Sequence, residues 1–460
     1  MRIGSFSEMT YKEFLNNKKF ILESSGFDIS KEHLNTMLYG FQKDIVRWAL
    51  AKGRAAIFAD CGLGKTLMQL EWADKVSKHT SGKVLILAPL SVTEQTIREG
   101  NKFGIPVTLC KEQSDAKDGI NITNYEKLDR FVAKEFTGVI LDESSILKSF
   151  TGKVRTQIID NFANAPFKLA CTATPAPNDY MELGNHSEFL GVMTRAEMLA
   201  MFFVHDGGET SKWRLKGHAK DIFWQWMASW SVFIDNPANL GYEIMGYNLP
   251  KLNITEICVD GTPTSDILSL TERRQARKDS LVARCEQAAE LVNHSQEQWI
   301  VWCDLNDESA KLHEMITDSV EICGADKPNH KSDSMLGFSE GNIKCLVTKP
   351  KIAGFGMNWQ NCHNMIFTGL SDSYEAYYQA LRRCWRFGQS KEVNVYIIIS
   401  SKEGCVKENI ERKEADFRKM QSAMIELTKE ITKKELEKTC RISTPYNPRI
   451  EMVLPKWEEF

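Results

Sequence analysis

Short, uninterrupted apolar runs rich in Val, Ile and Leu alternate with helical patterns, and the alternation occurs twice. In the first half the runs cover residues 55–59, 84–88, 120–123, 138–141 and 168–171. In the second half they cover 299–303, 320–323, 343–347, 364–367 and 393–399. A strand buried on both faces reads as a continuous apolar run, whereas a half-buried strand alternates. Helix-compatible stretches such as 65–76 and 374–383 fall between the runs. This order predicts a parallel sheet covered by helices on both faces. Two such series predict an α/β protein with two tandem lobes.

The stretch between the series, roughly 176–297, is different. It carries Trp213, Trp224, Trp226 and Trp230 together with Phe202, Phe203, Phe223 and Phe233. It reads as a helical insertion whose aromatics form a core of its own; the alternative is an aromatic surface that stacks bases. Residues 401–440 mix Glu and Lys at helical spacing, as a solvated helix face does. The divisions expected are therefore an N-terminal extension at 1–36, a first lobe at 37–190 and a Trp-rich helical insertion and linker at 191–297. A second lobe at 298–400 and a charged C-terminal helix and tail at 401–460 complete the chain.

Composition narrows the class without naming a partner. Hydrophobic residues make up 42% and charged residues 26% of the 460 positions, as in ordinary globular proteins. No stretch approaches the roughly 18 apolar residues of a membrane span. The first residues hold no long apolar segment of a secretory leader. The 12 cysteines are scattered and form no Cys-x-x-Cys pair, so reduced thiols in the cytoplasm are expected, and structural zinc is not. A net charge of −3 neither supports nor excludes nucleic acid, because a basic groove is averaged away in the total.

The sharpest local signal is Ala59-Asp60-Cys61-Gly62-Leu63-Gly64-Lys65-Thr66. It follows a strand-like run and opens a helix, the context a phosphate-binding loop requires. Glycines let the backbone N–H groups close around phosphates. Gly62, Leu63 and Gly64 are the expected cradle, Lys65 the cation for the β- and γ-phosphates, and Thr66 a magnesium ligand. A second apolar run, 138–141, delivers Asp142 and Glu143 to a strand's C-terminal edge, where ligands bind in open α/β sheets. Asp142 is expected to hold magnesium and Glu143 to orient and deprotonate the attacking water.

The order of these motifs resembles the superfamily-two helicases and, within them, the Swi/Snf-like translocases. The resemblance runs over residues 38–399, interrupted by the aromatic stretch. Leu38-Tyr39-Gly40-Phe41-Gln42 is similar to the adenine-reading segment, with Gln42 offering both a donor and an acceptor; an ordinary helical glutamine is the alternative. Leu87-Ala88-Pro89-Leu90-Ser91, with Gln95 and Glu99, resembles one nucleic-acid segment, and Thr123-Asn124-Tyr125-Glu126 another. Ser91, Thr123 and Asn124 are the implied phosphate contacts, against the alternative of plain strand-to-helix turns. Thr172-Ala173-Thr174-Pro175 resembles the coupling segment, in which hydroxyls relay the nucleotide state to the acidic pair, and Glu182-Leu183 follows as in the family.

Gln379-Ala380-Leu381-Arg382-Arg383-Cys384-Trp385-Arg386-Phe387-Gly388-Gln389 is close to the family's final motif, Gln-x-x-x-Arg-x-x-Arg-x-Gly-Gln. The resemblance assigns catalytic roles to Gln379, Arg383 and Arg386, the arginines as fingers for transition-state charge. Arg382 matches no position of that motif. Gly354-Phe355-Gly356-Met357-Asn358 resembles the preceding motif, with Gly356 close to nucleotide. Lys349, just before it, is a phosphate ligand or a solvated lysine, and Pro350 stands where the family has small residues.

The resemblance implies two RecA-like lobes with parallel sheets, a helical insertion and a C-terminal brace helix. It implies ATP and Mg2+ as cofactors and double-stranded DNA as the partner, with protein partners of a DNA-processing complex possible. The compact size is similar to bacterial or phage-encoded members, which places the protein in the cytoplasm, or the host cytoplasm for a phage. The function implied is an ATP-driven translocase on duplex DNA. Three alternatives stay open: a strand-separating DNA or RNA helicase, a nucleotide-gated scaffold, and the motor subunit of a larger complex.

Overall fold

Arg54–Ala59 (β1), Lys83–Ala88 (β2), Gly119–Asn124 (β4), Phe136–Asp142 (β5) and Phe167–Thr172 (β6) form where the first apolar series lies. Past their first residues these strands are buried almost throughout, as parallel strands covered on both faces must be. The computed structural model describes residues 24–438 apart from 149–151, 207–208, 245, 248, 262–269, 354–356 and 372. With Val107–Leu109 (β3) at one edge and Ser231–Ile234 (β9) at the other, the first sheet has the order β3-β4-β2-β5-β6-β1-β9. All its pairings are parallel.

The second series gives a six-stranded sheet. Its strands are Leu252–Cys258 (β10), Trp299–Trp302 (β11), Ser319–Glu321 (β12), Cys345–Thr348 (β13), Asn364–Thr368 (β14) and Val393–Ile399 (β15). They lie in the order β10-β15-β14-β11-β13-β12, and these pairings are also all parallel. The two-lobed α/β architecture is therefore the one the apolar runs predict. Among the described residues no helix is long and apolar enough to cross a membrane.

The stretch 191–297 is not one insertion. Ser231–Ile234, all four residues buried, pairs with β1 and extends the first sheet. Leu252–Cys258 pairs with β15 along its whole length and belongs to the second sheet. The first of these strands follows directly on helix Lys220–Trp230, so no turn signal marks it. The second is a half-exposed edge strand without a continuous apolar run. What remains as insertion is helical, apart from an antiparallel hairpin of Phe203–Asp206 (β7) and Glu209–Leu215 (β8).

Most of the insertion's aromatics do not face solvent. Phe202, Phe203, Phe223, Trp224, Trp226 and Trp230 are buried and pack edge-on against one another. They join the core under the first sheet through Phe58, which meets Trp230 and Phe233, so they are not a separate core. Burial removes these rings from any base-stacking role. Trp213, half-buried on the hairpin, packs against His205.

The charged C-terminal segment is a single helix, Gly404–Lys438. Ile410, Phe417, Met420, Met424, Thr428, Thr432 and Leu436 are buried at spacings of three, four and seven residues, which makes one face of a helix. Its start is fastened to the second lobe by a buried ion network. Arg284 pairs with Glu308 at 2.7 Å, Arg277 pairs with Asp304 at 2.7 Å and with Glu403 at 3.0 Å, and Glu403 lies just before the helix. Further along, it packs on helix Lys220–Trp230 and on β9, and Glu435 meets Lys52 of the first lobe at 3.5 Å. The helix thus joins both lobes.

Candidate nucleotide site between the two lobes

The phosphate loop leaves β1 and enters helix Lys65–Thr80. Gly62 and Gly64 have φ of +91° and +78°, a backbone region open to glycine at little cost. Space demands glycine as well. A Cβ on Gly64 would stand 2.3 Å from Gln42 Nε2, and one on Gly62 would stand 3.0 Å from the backbone N of Phe387. Phe387 belongs to the second lobe, so the final arginine-bearing motif lies directly on the loop.

Lys65 Nζ donates to the carbonyls of Ala59 at 2.8 Å and Asp60 at 3.3 Å. Thr66 follows in the first turn of the helix. Gln42 is held at both ends of its amide. Its Oε1 accepts from the Tyr39 N–H at 2.9 Å, and its Nε2 donates to the Leu63 carbonyl at 2.9 Å. Gln42 therefore ties residues 38–42 to the loop at 59–66, and each amide atom keeps capacity for one more partner.

Asp142 ends β5, two strands from β1, and β6 lies between them. Parallel pairing puts Thr172 beside Phe58 and Cys171 beside Asp142, so the coupling segment leaves the sheet between the phosphate loop and the acids. Asp142 Oδ1 accepts from Gln69 Nε2 at 2.8 Å and from the Glu143 N–H at 3.2 Å. Among the described residues no hydrogen bond reaches Oδ2. Glu143 has φ of +54°, a left-handed conformation that costs a non-glycine residue roughly 1–3 kcal/mol. Burial pushes both carboxyl pKa values up, and the positive charge of Lys65 draws them back.

The second lobe brings its arginines to this point on and just after helix Tyr374–Leu381. Arg383 donates to the carbonyls of Gln379 at 2.9 Å and Met357 at 3.0 Å, and to Gln379 Oε1 at 3.1 Å. Arg386 shares the Met357 carbonyl at 3.3 Å. Among the described residues neither has a carboxylate within ion-pair distance. Burial, then repulsion by Arg383, pulls the pKa of Arg386 down to about 10. Arg383 acts electrostatically on both Asp142 and Glu143, so the halves of the site share one field. Gln379 Oε1 also accepts from the Cys61 thiol of the loop at 3.7 Å, while its Nε2 and Arg386 Nε are buried with no hydrogen-bond partner among the described residues.

Residues 29–177 match the family described as type III restriction enzyme, res subunit, and residues 283–388 match the helicase conserved C-terminal domain. One match falls on each lobe. The chain belongs to the superfamily-two helicases. No curated protein matches it. Among solved structures it is similar to one described as the Sulfolobus solfataricus SWI2/SNF2 ATPase core in complex with dsDNA, with 17% identity and a TM-score of 0.42 over 90% of this chain and 99% of that one.

This helicase core places its other expected site residues on the same edge of each sheet as the nucleotide residues. Thr123 and Asn124 end β4, and Thr123 Oγ1 and Asn124 Oδ1 are buried with no hydrogen-bond partner among the described residues. Ser91 opens helix Leu90–Lys102 after β2. Lys349 follows β13 and bonds Asn306 Oδ1 at 2.6 Å, inside the second lobe. Pro350 takes the first position of a short helix, where its missing N–H costs nothing. Gly356 lies outside the described residues.

Several residues that hold the helicase site together were not singled out in the sequence. Gln69 orients Asp142 and stands four residues after Lys65, one helical turn, which is a usable signal. The Tyr125 hydroxyl donates to the Asp142 carbonyl at 2.7 Å. Arg382, which matches no family position, donates to Asp60 Oδ2 at 2.8 Å and to the Cys61 carbonyl at 2.9 Å, and the Tyr378 hydroxyl donates to Asp60 Oδ1 at 2.6 Å. Nothing in the motif marks this pairing, because it depends on which loop the helix meets. Arg382→Ala leaves the Asp60 carboxylate buried without its cation, an expected loss of about 3–5 kcal/mol in denaturant unfolding. Asp60→Ala added to it should recover part of that loss; an unchanged midpoint in the single variant would show the pair to be idle.

Proposed function

We propose that this helicase core is an ATP-dependent translocase that moves on double-stranded DNA and hydrolyses ATP in the cleft between its lobes. The observation that carries the reading is the pair of guanidiniums, Arg383 buried and Arg386 half-buried, set against the phosphate loop with no carboxylate within ion-pair distance among the described residues. Buried cations are normally paired. Two left unpaired opposite a glycine loop suit the charge of a transferring phosphoryl group.

The residues fit ATP and magnesium. Asp142 Oδ2 has no hydrogen bond among the described residues, and Asp142 with Thr66 would hold the metal ion. When bound, magnesium supplies positive charge to the phosphate oxygens. Lys65 adds a point charge, Glu143 accepts the proton of the attacking water, and Thr172 holds the Glu143 carboxylate. Arg383 and Arg386 come from the other lobe, so the charge clamp is complete only when the lobes meet. Nucleotide binding then draws the lobes together and phosphate release lets them part. Duplex gripped through phosphates at Ser91, Thr123, Asn124 and Lys349 would advance with each cycle, largely regardless of sequence. The Swi/Snf-like motif set favours tracking along the duplex over strand separation. The setting proposed is the cytoplasm, a phage host's included, with partners drawn from a DNA-processing complex.

Triplex displacement on duplex DNA, run beside fork unwinding, tests the choice. ATP-dependent removal of the third strand is expected, with little unwinding. Strong unwinding without displacement would replace the translocase by a strand-separating helicase.

A further inference from the structure

We propose that Glu375, in the second lobe, is a positioning residue for Glu143, acting through Thr174 and Thr172, so that the water-activating carboxylate is set only when the lobes are in contact. This rests on the ATPase reading given above.

The chain of contacts is continuous. Thr172 Oγ1 donates to Glu143 Oε2 at 3.3 Å, and among the described residues no other side chain hydrogen-bonds that carboxylate. The same Thr172 oxygen accepts the Thr174 N–H at 3.1 Å. A hydroxyl has one proton, and the incoming N–H fixes where its lone pair points, so the proton is directed at Glu143. Thr174 Oγ1 in turn donates to Glu375 Oε1 at 3.4 Å, across the lobe boundary. Glu375 Oε2 pairs with Lys148, from the turn that follows Glu143 in the first lobe. Thr172 and Thr174 are fully buried, and both acids nearly so.

Two features make the distal end matter. Glu143 sits in a left-handed conformation, so its geometry is imposed by neighbours and not by its own backbone preference. Glu375 and Gln379 stand one turn apart on helix Tyr374–Leu381 and Arg383 follows just past its end, so one short segment carries the contact to Thr174, the contact to the loop cysteine and a finger arginine. Parting the lobes withdraws all three together. Thr174 then loses the acceptor that orients its hydroxyl, and the 172–174 turn loses the grip that aims Thr172.

The test is a double-mutant cycle on the full chain, measuring kcat with saturating duplex DNA and nucleotide affinity with a fluorescent ATP analogue. Glu375→Ala should lower kcat about tenfold, a fraction of the roughly 10²–10⁴ that a positioned base supplies, with nucleotide affinity within about twofold. Glu375→Gln keeps an acceptor for Thr174 and should stay within about threefold of wild type. Thr174→Val should lose about as much as Glu375→Ala, and the double variant no more than either. Wild-type kcat in Glu375→Ala, or losses that multiply in the double variant, would overturn the proposal. If Glu375→Ala fails to fold, the cycle of Thr174→Val with Glu375→Gln decides: loss of the mild Glu375→Gln effect in the Thr174→Val background supports the relay, and multiplied losses overturn it. A wild-type chain without hydrolysis sinks the ATPase reading and this inference together; an active wild type with an indifferent Glu375 sinks this inference alone.

Discussion

Replacing Lys65 by alanine is expected to abolish ATP hydrolysis. The ammonium is the one cation anchored in the phosphate loop itself, and it lies over the carbonyls of Ala59 and Asp60. It does two things that alanine cannot. It offers a charge to the phosphates, and it counters the burial that favours the protonated forms of Asp142 and Glu143. Losing both should cost on the order of 10³-fold or more in turnover, as with the removal of other preorganised transition-state partners. Phosphate release with and without duplex DNA measures it, with circular dichroism as the check on folding. Near-normal turnover would refute the loop assignment.

Arg386→Ala is expected to lower kcat by about 10³-fold, the lower end of what arginine fingers supply. Nucleotide affinity should fall much less, because the finger acts on charge that develops during transfer. Stability gives an independent sign. Arg386 is half-buried, has no carboxylate within ion-pair distance among the described residues and is repelled by Arg383. Its removal strands no acid, so the unfolding midpoint should hold or rise, whereas Arg382→Ala should lower it. Equal losses in kcat and affinity would make Arg386 a binding residue.

These outcomes bear on how far the amino-acid order discloses the site. The phosphate loop, the Asp142–Glu143 pair and the Arg383–Arg386 spacing stand out in the sequence as candidates because each proposed chemistry imposes a residue type at a fixed interval on one element. Gln69 was half legible, one turn beyond Lys65. Arg382 and Glu375 were not, because their importance comes from the surface their helix meets, and that surface belongs to residues over 200 positions away, at Asp60 and Thr174. Gln42 shows a milder case: the residue was found, but its amide bonds Tyr39 and Leu63, which no spacing reveals.

The same division applies to the fold. Strands buried on both faces announced themselves as apolar runs, and both sheets followed from them. β9 and β10 escaped. One continues from a Trp-rich helix without a break, and the other is an edge strand whose exposed residues interrupt the pattern. The aromatic stretch was read as a core, and its rings are indeed buried, but they extend the core under the first sheet, a distinction that composition does not carry.

The long terminal helix has a mechanical consequence. At 1.5 Å per residue its 35 residues reach about 52 Å. Its root is clamped by the ion pairs of Arg277 and Glu403, while along its middle Met420, Met424 and Ile425 line a small void together with Phe58, Pro175 and Phe233 of the first lobe. Methionine is unbranched and repacks readily, so such a contact has many near-equivalent registers. The rod therefore works as a tie between the lobes, held at its far end by Glu435 on Lys52, and its repackable middle faces Ala173 and Pro175, within the turn that aims Thr172, across that void.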